Sequence, residues 1–171
     1  VQTIQNSGKS IQIRELKEIW PAFRGKDVFQ RFYEGRYYTA ISDLVRFNLL
    51  DMFGGVYSDF GVMFKTNLTP FVKNYDYLFG QEGFLAGTSF LAAPAHSPVM
   101  NAILTFIDTL DRVPPEFRNW GDHIVTPRWT ALGILTVMMD THTRESDRIL
   151  PIPYGEDSIV VTNHMASWLG N

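Results

Sequence analysis

The chain has no cysteine in its 171 residues. A disulfide framework and a thiolate metal centre are therefore excluded, and the absence fits a reducing compartment. It has no apolar run long enough to span a bilayer and no signal-peptide pattern at its start. Basic residues form no run or stripe, and the formal net charge is −3. A nucleic-acid surface is not expected from such a distribution. Repeats, low-complexity tracts and obvious linkers are also missing. So are the G-x-S-x-G, H-E-x-x-H and P-loop patterns, which sets aside serine-hydrolase, zincin and P-loop chemistry.

What is present is a globular composition. Apolar residues make up 45% and charged residues 19%, with 13 Phe and 7 Tyr. That supports one domain with an aromatic-rich core. Strand and helix patterns alternate, which predicts an α/β or α+β arrangement over residues 1–171. The chain starts at Val1, which fits a core cut from a longer protein.

A short strand is expected over Ser10–Ile13, then helical turns over Arg14–Phe23 interrupted by Pro21, and a short helix over Asp27–Gly35. The strongest helix runs from Ala40 to Phe53, with Ile41, Leu44, Val45, Leu49 and Met52 as its apolar stripe and Thr39 as N-cap. Gly54 is placed to end it. Val56 and Tyr57 begin a strand that Asp59 closes, and Val56–Phe64 as a whole is apolar almost throughout, which suits a strand buried on both faces. Residues 67–77 read as a connection. Strand character follows over Phe84–Ala93, and a capped helix over Ser97–Asp111 with Pro98 at its first position. A further helix is expected over Thr126–Thr141, with short strands over Arg148–Pro153 and Ser158–Thr162.

Chemistry concentrates in Ala40–Phe64. Asp43 and Arg46 are i and i+3 on a helix, hence neighbours. Read locally, they form an ion pair on a solvated helix face. Yet Ser42, Asp43 and Arg46 interrupt an apolar segment, where charge is costly unless it is used. A carboxylate at a strand end, just past a glycine turn, lies where open α/β sheets bind ligands. Elsewhere the signals are weaker. His96, the Asp122-His123 pair and His142 read as turn, loop and helix-end residues, and Asn67-Leu68-Thr69 matches a glycosylation sequon that is common by chance.

Ser42, Asp43, Arg46, Gly54, Gly55, Val56, Tyr57 and Asp59 together reproduce S-D-x-x-R followed by G-G-V-Y-x-D. In this the chain resembles the sugar-binding DXD glycosyltransferases, the group that contains glycosyltransferase family 32. The GTSFLAAPAHSPVM, TPRWT and NHMASW segments extend the likeness over roughly residues 36–170. The resemblance implies a GT-A fold, a Rossmann-like mixed sheet flanked by helices, lacking or diverged in its first N-terminal strand–helix unit. It also implies retaining transfer of a hexose from a nucleotide diphosphate sugar (UDP- or GDP-linked) to a glycan, lipid or protein acceptor, as in polysaccharide biosynthesis, with Mn²⁺ or Mg²⁺.

On that resemblance Asp43 and Arg46 hold the donor hydroxyls beside Ser42 and Tyr57, and Asp59 touches the ribose and the metal. His164 is a metal or diphosphate ligand, and Ser167 and Trp168 contact the diphosphate. Asp43, Arg46 and Asp59 are thus the catalytic candidates, and Asp59 and His164 the metal candidates. Gly61 departs from the pattern, since it stands where the second aspartate of DXD supplies a metal ligand. A weakened metal site follows, and with it an alternative: an inactive relative that binds a nucleotide sugar or carbohydrate. The expected setting is the bacterial cytoplasm at the membrane, with Golgi glycosylation and a secreted effector also compatible.

Overall fold

The computed structural model describes residues 15–109 and 133–162. In chain order these form α1 (Leu16–Ile19), a 3₁₀ turn (Trp20–Ala22), α2 (Lys26–Glu34), α3 (Tyr38–Phe53), β1 (Gly55–Ser58), β2 (Val62–Phe64), α4 (Thr69–Asn74), β3 (Tyr77–Glu82), β4 (Leu85–Ala93), α5 (Pro98–Thr109), α6 (Ile134–His142), β5 (Ile149–Pro153) and β6 (Val160–Thr162). The expected strand at Ser10–Ile13 and the start of the Thr126–Thr141 helix lie outside the described residues.

A four-stranded sheet has the order β1-β4-β3-β5, and β2 and β6 form a separate two-stranded ribbon. β4 pairs antiparallel with both β1 and β3, whereas β3 and β5 run parallel. The sheet is mixed because the β3–β4 hairpin turns tightly, while the chain from β4 to β5 returns through helices. Side chains of a strand alternate between faces, and β4 uses both. Leu91 and Ala93 join the cluster built with α3, α5 and α6. Phe90 and Ala92 join Leu78, Ile152 and Val160, against which Val62 and Phe64 of the ribbon pack. The result is three layers: helices, sheet, ribbon. Phe64 meets Phe90 edge-on at a centroid separation of 5.2 Å, locking the ribbon to the sheet.

The expected single strand Val56–Phe64 is two strands in two sheets. The chain turns at Asp59, whose carbonyl accepts the Val62 N–H at 3.1 Å. Nor is this segment buried on both faces: Val56 and Met63 are exposed, and Phe60 projects fully into solvent. An apolar run of this length carries no mark of where it leaves one sheet for another. Residues 67–77 are likewise more than a connection, since they hold α4 and the start of β3.

α3 begins before Thr39, with Tyr37 at the cap position and no side-chain cap bond. Its deepest face also differs from the expected stripe. Ala40, Leu44, Phe47 and Leu50 are buried, and so are Asp43, Arg46 and Asn48. Ile41, Val45, Leu49 and Met52 are only partly covered. Asn48 accounts for itself structurally. Its amide oxygen accepts the Arg24 N–H at 2.7 Å, and its amide nitrogen donates to the Arg24 and Leu44 carbonyls. Arg24 in turn reaches Asp108, Asn101 and Thr105 on α5.

α3 ends as its sequence indicates. Gly54 has φ 61°, and its N–H donates to the Leu50 carbonyl. A Cβ there would lie 2.5 Å from the Ala95 backbone nitrogen. The same junction is fastened by the His96 N–H donating to the Asp51 carbonyl at 2.7 Å. At the start of α5 the Ser97 hydroxyl accepts the Met100 N–H, as expected of an N-cap.

Candidate functional site

α3 and β1 meet at Gly54–Gly55, and this junction folds the end of β1 back alongside the helix. Five side chains converge there. Arg46 is the hub. Its Nη2 lies 3.1 Å from Asp43 Oδ1 and 3.5 Å from Asp59 Oδ1, and donates to Ser42 Oγ at 3.3 Å. Its Nη1 donates to the Thr88 carbonyl of β4 at 2.6 Å. Its guanidinium stacks over the Tyr57 ring, 4.6 Å from the centroid. The Tyr57 hydroxyl donates to Asp59 Oδ1 at 2.6 Å and stands 3.4 Å from Ser42 Oγ. Thus Ser42, Asp43, Arg46, Tyr57 and Asp59 form one continuous network, and the local helix-face pair is the inner half of it.

Burial divides the network. Asp43 and Arg46 are 3% and 4% exposed. The Asp59 side chain is 38% exposed and forms the outer edge. Desolvation pushes the Asp43 carboxyl up to about 7, Asp59 adds to the rise, and Arg46 opposes it. Burial, reinforced by the hydrogen bond to Asp59, likewise raises the Tyr57 hydroxyl. Two polar atoms within the cluster are buried without a hydrogen-bond partner: Asp43 Oδ2 and Arg46 Nε. A buried unsatisfied acceptor and a buried unsatisfied donor are each costly in a folded protein. A ligand bearing hydroxyl groups, each both donor and acceptor, has the chemistry to satisfy both.

A metal is another matter. Among the described residues no three His, Cys, Asp or Glu side chains stand together to hold one. Asp59 is the motif's one remaining carboxylate, and its Oδ1 already serves Tyr57 and Arg46. Gly61 adds no side-chain oxygen. Hard divalent ions take six or more oxygen ligands, so the described residues do not fit Mn²⁺ or Mg²⁺ by themselves. His164, Ser167 and Trp168 lie outside the described residues, as do Asp122 and His123. His96 is exposed with φ 54°, a strained turn position. His142 ends α6 as expected.

Residues 3–79 match the family model of the glycosyltransferase sugar-binding region containing DXD motif. That span includes all five side chains of the network, and it reaches further toward the N-terminus than the motif likeness read from residue 36 onward. No curated protein sequence matches the chain. Among solved structures, the chain is similar to one described as "PaToxG Glycosyltransferase", with a TM-score of 0.52 and 16% identity. The likeness covers 67% of this chain and 39% of that one, so this chain spans about two-fifths of the neighbour's length. The fold is thus a mixed α/β arrangement of the GT-A kind.

Sequence reasoning missed one participant. Thr88 belongs to the network through its backbone carbonyl, and a carbonyl leaves no trace in residue identity. Thr88 and Ser89 are nonetheless a polar pair buried in an otherwise apolar strand. That interruption was the available signal.

Proposed function

We propose that the chain is the donor-binding core of a glycosyltransferase, which moves a hexose from a nucleotide diphosphate sugar to a glycan, lipid or protein acceptor. The observation that carries this is the pair of unsatisfied buried atoms, Asp43 Oδ2 and Arg46 Nε, inside the matched sugar-binding region. A sugar hydroxyl placed between them donates to Asp43 and accepts from Arg46. Asp59, at the exposed edge, faces the nucleotide side of the donor.

In the transfer, the bond from C1 to the diphosphate oxygen breaks, and a bond from C1 to the acceptor oxygen forms. Retention places the new bond on the face the diphosphate leaves, and the acceptor proton departs with the diphosphate. The chain's own contribution is positional. Arg46 is held by Asp43, Asp59, Ser42, the Thr88 carbonyl and the Tyr57 ring and presents its charge without reorganisation, which is the condition for strong electrostatic and orienting effects. A divalent ion, if held by Asp59 and His164 as the resemblance assigns them, would supply positive charge to the diphosphate. His164, Ser167 and Trp168 are assigned to the diphosphate by family resemblance.

Calorimetry with UDP-glucose, UDP-N-acetylglucosamine and GDP-mannose, each with and without Mn²⁺, tests the reading. Binding of at least one donor, lost in both Asp43→Ala and Asp59→Ala, is the expected result. Absence of binding by all three overturns it. A second reading is favoured by Gly61 specifically: a relative that binds the donor without turnover. Binding without release of free nucleotide selects it, and Gly61→Asp then raises Mn²⁺ affinity.

A further inference from the structure

β3 and β4 do not pair evenly. Phe79 lies opposite Leu91, but the next residue, Gly80, lies opposite Gly87. Thr88, Ser89 and Phe90 therefore face no residue of β3 and form a three-residue bulge in β4. On the other side, Phe90 still pairs with Ser58 of β1. The bulge is firmly seated, because the Phe90 side chain is fully buried against Phe64.

The two carbonyls at the centre of this bulge are put to separate use. The Thr88 carbonyl accepts from Arg46 Nη1 at 2.6 Å. The Ser89 carbonyl accepts the Asp59 N–H at 2.8 Å. The Ser89 bond continues the β1 side of β4, where Ser58 pairs with Phe90; even pairing on the other side would commit the Thr88 carbonyl to the ladder with β3, and bulges release such groups and re-aim them. Here adjacent carbonyls hold the helix-borne guanidinium and the backbone of the strand-borne carboxylate. The bulge thereby fixes the spacing between the two halves of the network.

We infer that the Thr88–Phe90 bulge is the positioning element of the donor site, acting through the Thr88 and Ser89 carbonyls and not through their hydroxyls. The inference rests on the donor-site reading above. It adds that site geometry is set by the length of this segment. Neither Thr88 nor Ser89 need touch the donor.

Changing the length separates these possibilities. Deletion of Ser89, or insertion of one glycine between Ser89 and Phe90, leaves room for at most one of the two carbonyl contacts. Thr88→Ala and Ser89→Ala keep both. Each protein is followed by thermal unfolding, by carbon-detected titration of the Asp43 carboxyl, and by calorimetry with UDP-glucose and GDP-mannose. The length variants are expected to lose at least tenfold in donor affinity. Their Asp43 midpoint should move above the wild-type position as Arg46 retreats, and both alanine variants should stay within threefold of wild type. A folded length variant with unchanged Asp43 titration overturns the inference. So do alanine variants as impaired as the length variants.

Should neither length variant fold, the wild type decides the matter by scalar couplings across two hydrogen bonds, Arg46 Nη1 to the Thr88 carbonyl carbon and Asp59 N to the Ser89 carbonyl carbon. Absence of both couplings overturns it. A wild type that binds none of UDP-glucose, UDP-N-acetylglucosamine and GDP-mannose overturns the glycosyltransferase reading and the donor role built on it, whereas the titration and coupling results judge, without any ligand, whether the bulge sets the network's geometry.

Discussion

Arg46 has more partners than any other side chain in the site, and removing it tests how the charges there are balanced. Breaking a buried pair by deleting one partner costs about 3–5 kcal/mol when the other charge stays ionised. Asp43 does not have to stay ionised, because its carboxyl already titrates at about 7 and rises further without Arg46. Arg46→Met is therefore expected to cost the full amount at pH 8.5 and distinctly less at pH 5.5, as read by urea denaturation at the two pH values. Equal losses would show that Asp43 holds its charge by some other means. Tyr57→Phe probes the outer half. It keeps the ring beneath Arg46 and removes a hydroxyl bonded at 2.6 Å to Asp59. About 1–2 kcal/mol of stability should be lost. Asp59 should then be free to swing outward, weakening donor binding more than folding. That Ser42, Asp43 and Arg46 share a helix face follows from their spacing alone. That Arg46 lies buried over the Tyr57 ring and against a β4 carbonyl does not, because those contacts depend on tertiary approach.

At the scale of elements, the junction between α3 and β1 determines whether the two halves meet. Gly54 occupies it with a positive φ, and the Pro94–Ala95 backbone sits where a side chain would begin. Gly54→Ala meets both obstacles at once: a conformation unfavourable to residues with Cβ, and a contact with backbone, which cannot rotate away. A loss of about 1–3 kcal/mol is expected, measured as a lower urea midpoint with an unchanged slope. Gly55→Ala should cost less, because φ is 94° there but nothing lies within 4 Å of the added carbon. The reverse ranking would place the strain at the wrong residue. Helices were the more legible elements. α2, α3 and α5 lie close to where the sequence placed them, α5 with its Ser-Pro start, although the buried face of α3 is not the expected stripe. The segment after Gly55 was less so. β1 and β2 read as one strand because Val56, Tyr57, Val62, Met63 and Phe64 are similarly apolar, and only the pairing of β1 with β4 and β2 with β6 separates them. The bulge in β4 is invisible for the same reason, since register belongs to the pair of strands and not to either sequence.

At the scale of the whole molecule, the network links site chemistry to global stability. Asp43 sits on the face of α3 that packs into the main core, beside Leu44 and Phe47. Its carboxyl titrates at about 7 in the folded chain against an ordinary value of 3.8. Between those values the folded state binds more protons than the unfolded state, so the free energy of unfolding falls as pH rises. The stabilisation from this group is complete below pH 4, declines through the interval and is gone above pH 7. Its slope cannot exceed about 1.4 kcal/mol per pH unit. Other groups titrate over the same range, so the diagnostic quantity is a difference. In Asp43→Asn, which carries no titrating group, the decline between pH 4.5 and 7.5 should be shallower than in wild type, and the two curves should run parallel above pH 7.5. Parallel curves throughout would mean that Asp43 is ionised in the folded core at all these pH values, held so by Arg46. A bound donor should reverse the wild-type trend. If the sugar hydroxyl donates to the Asp43 carboxylate, binding favours the ionised form, and the stabilisation conferred by saturating donor should grow from pH 5.5 to pH 8.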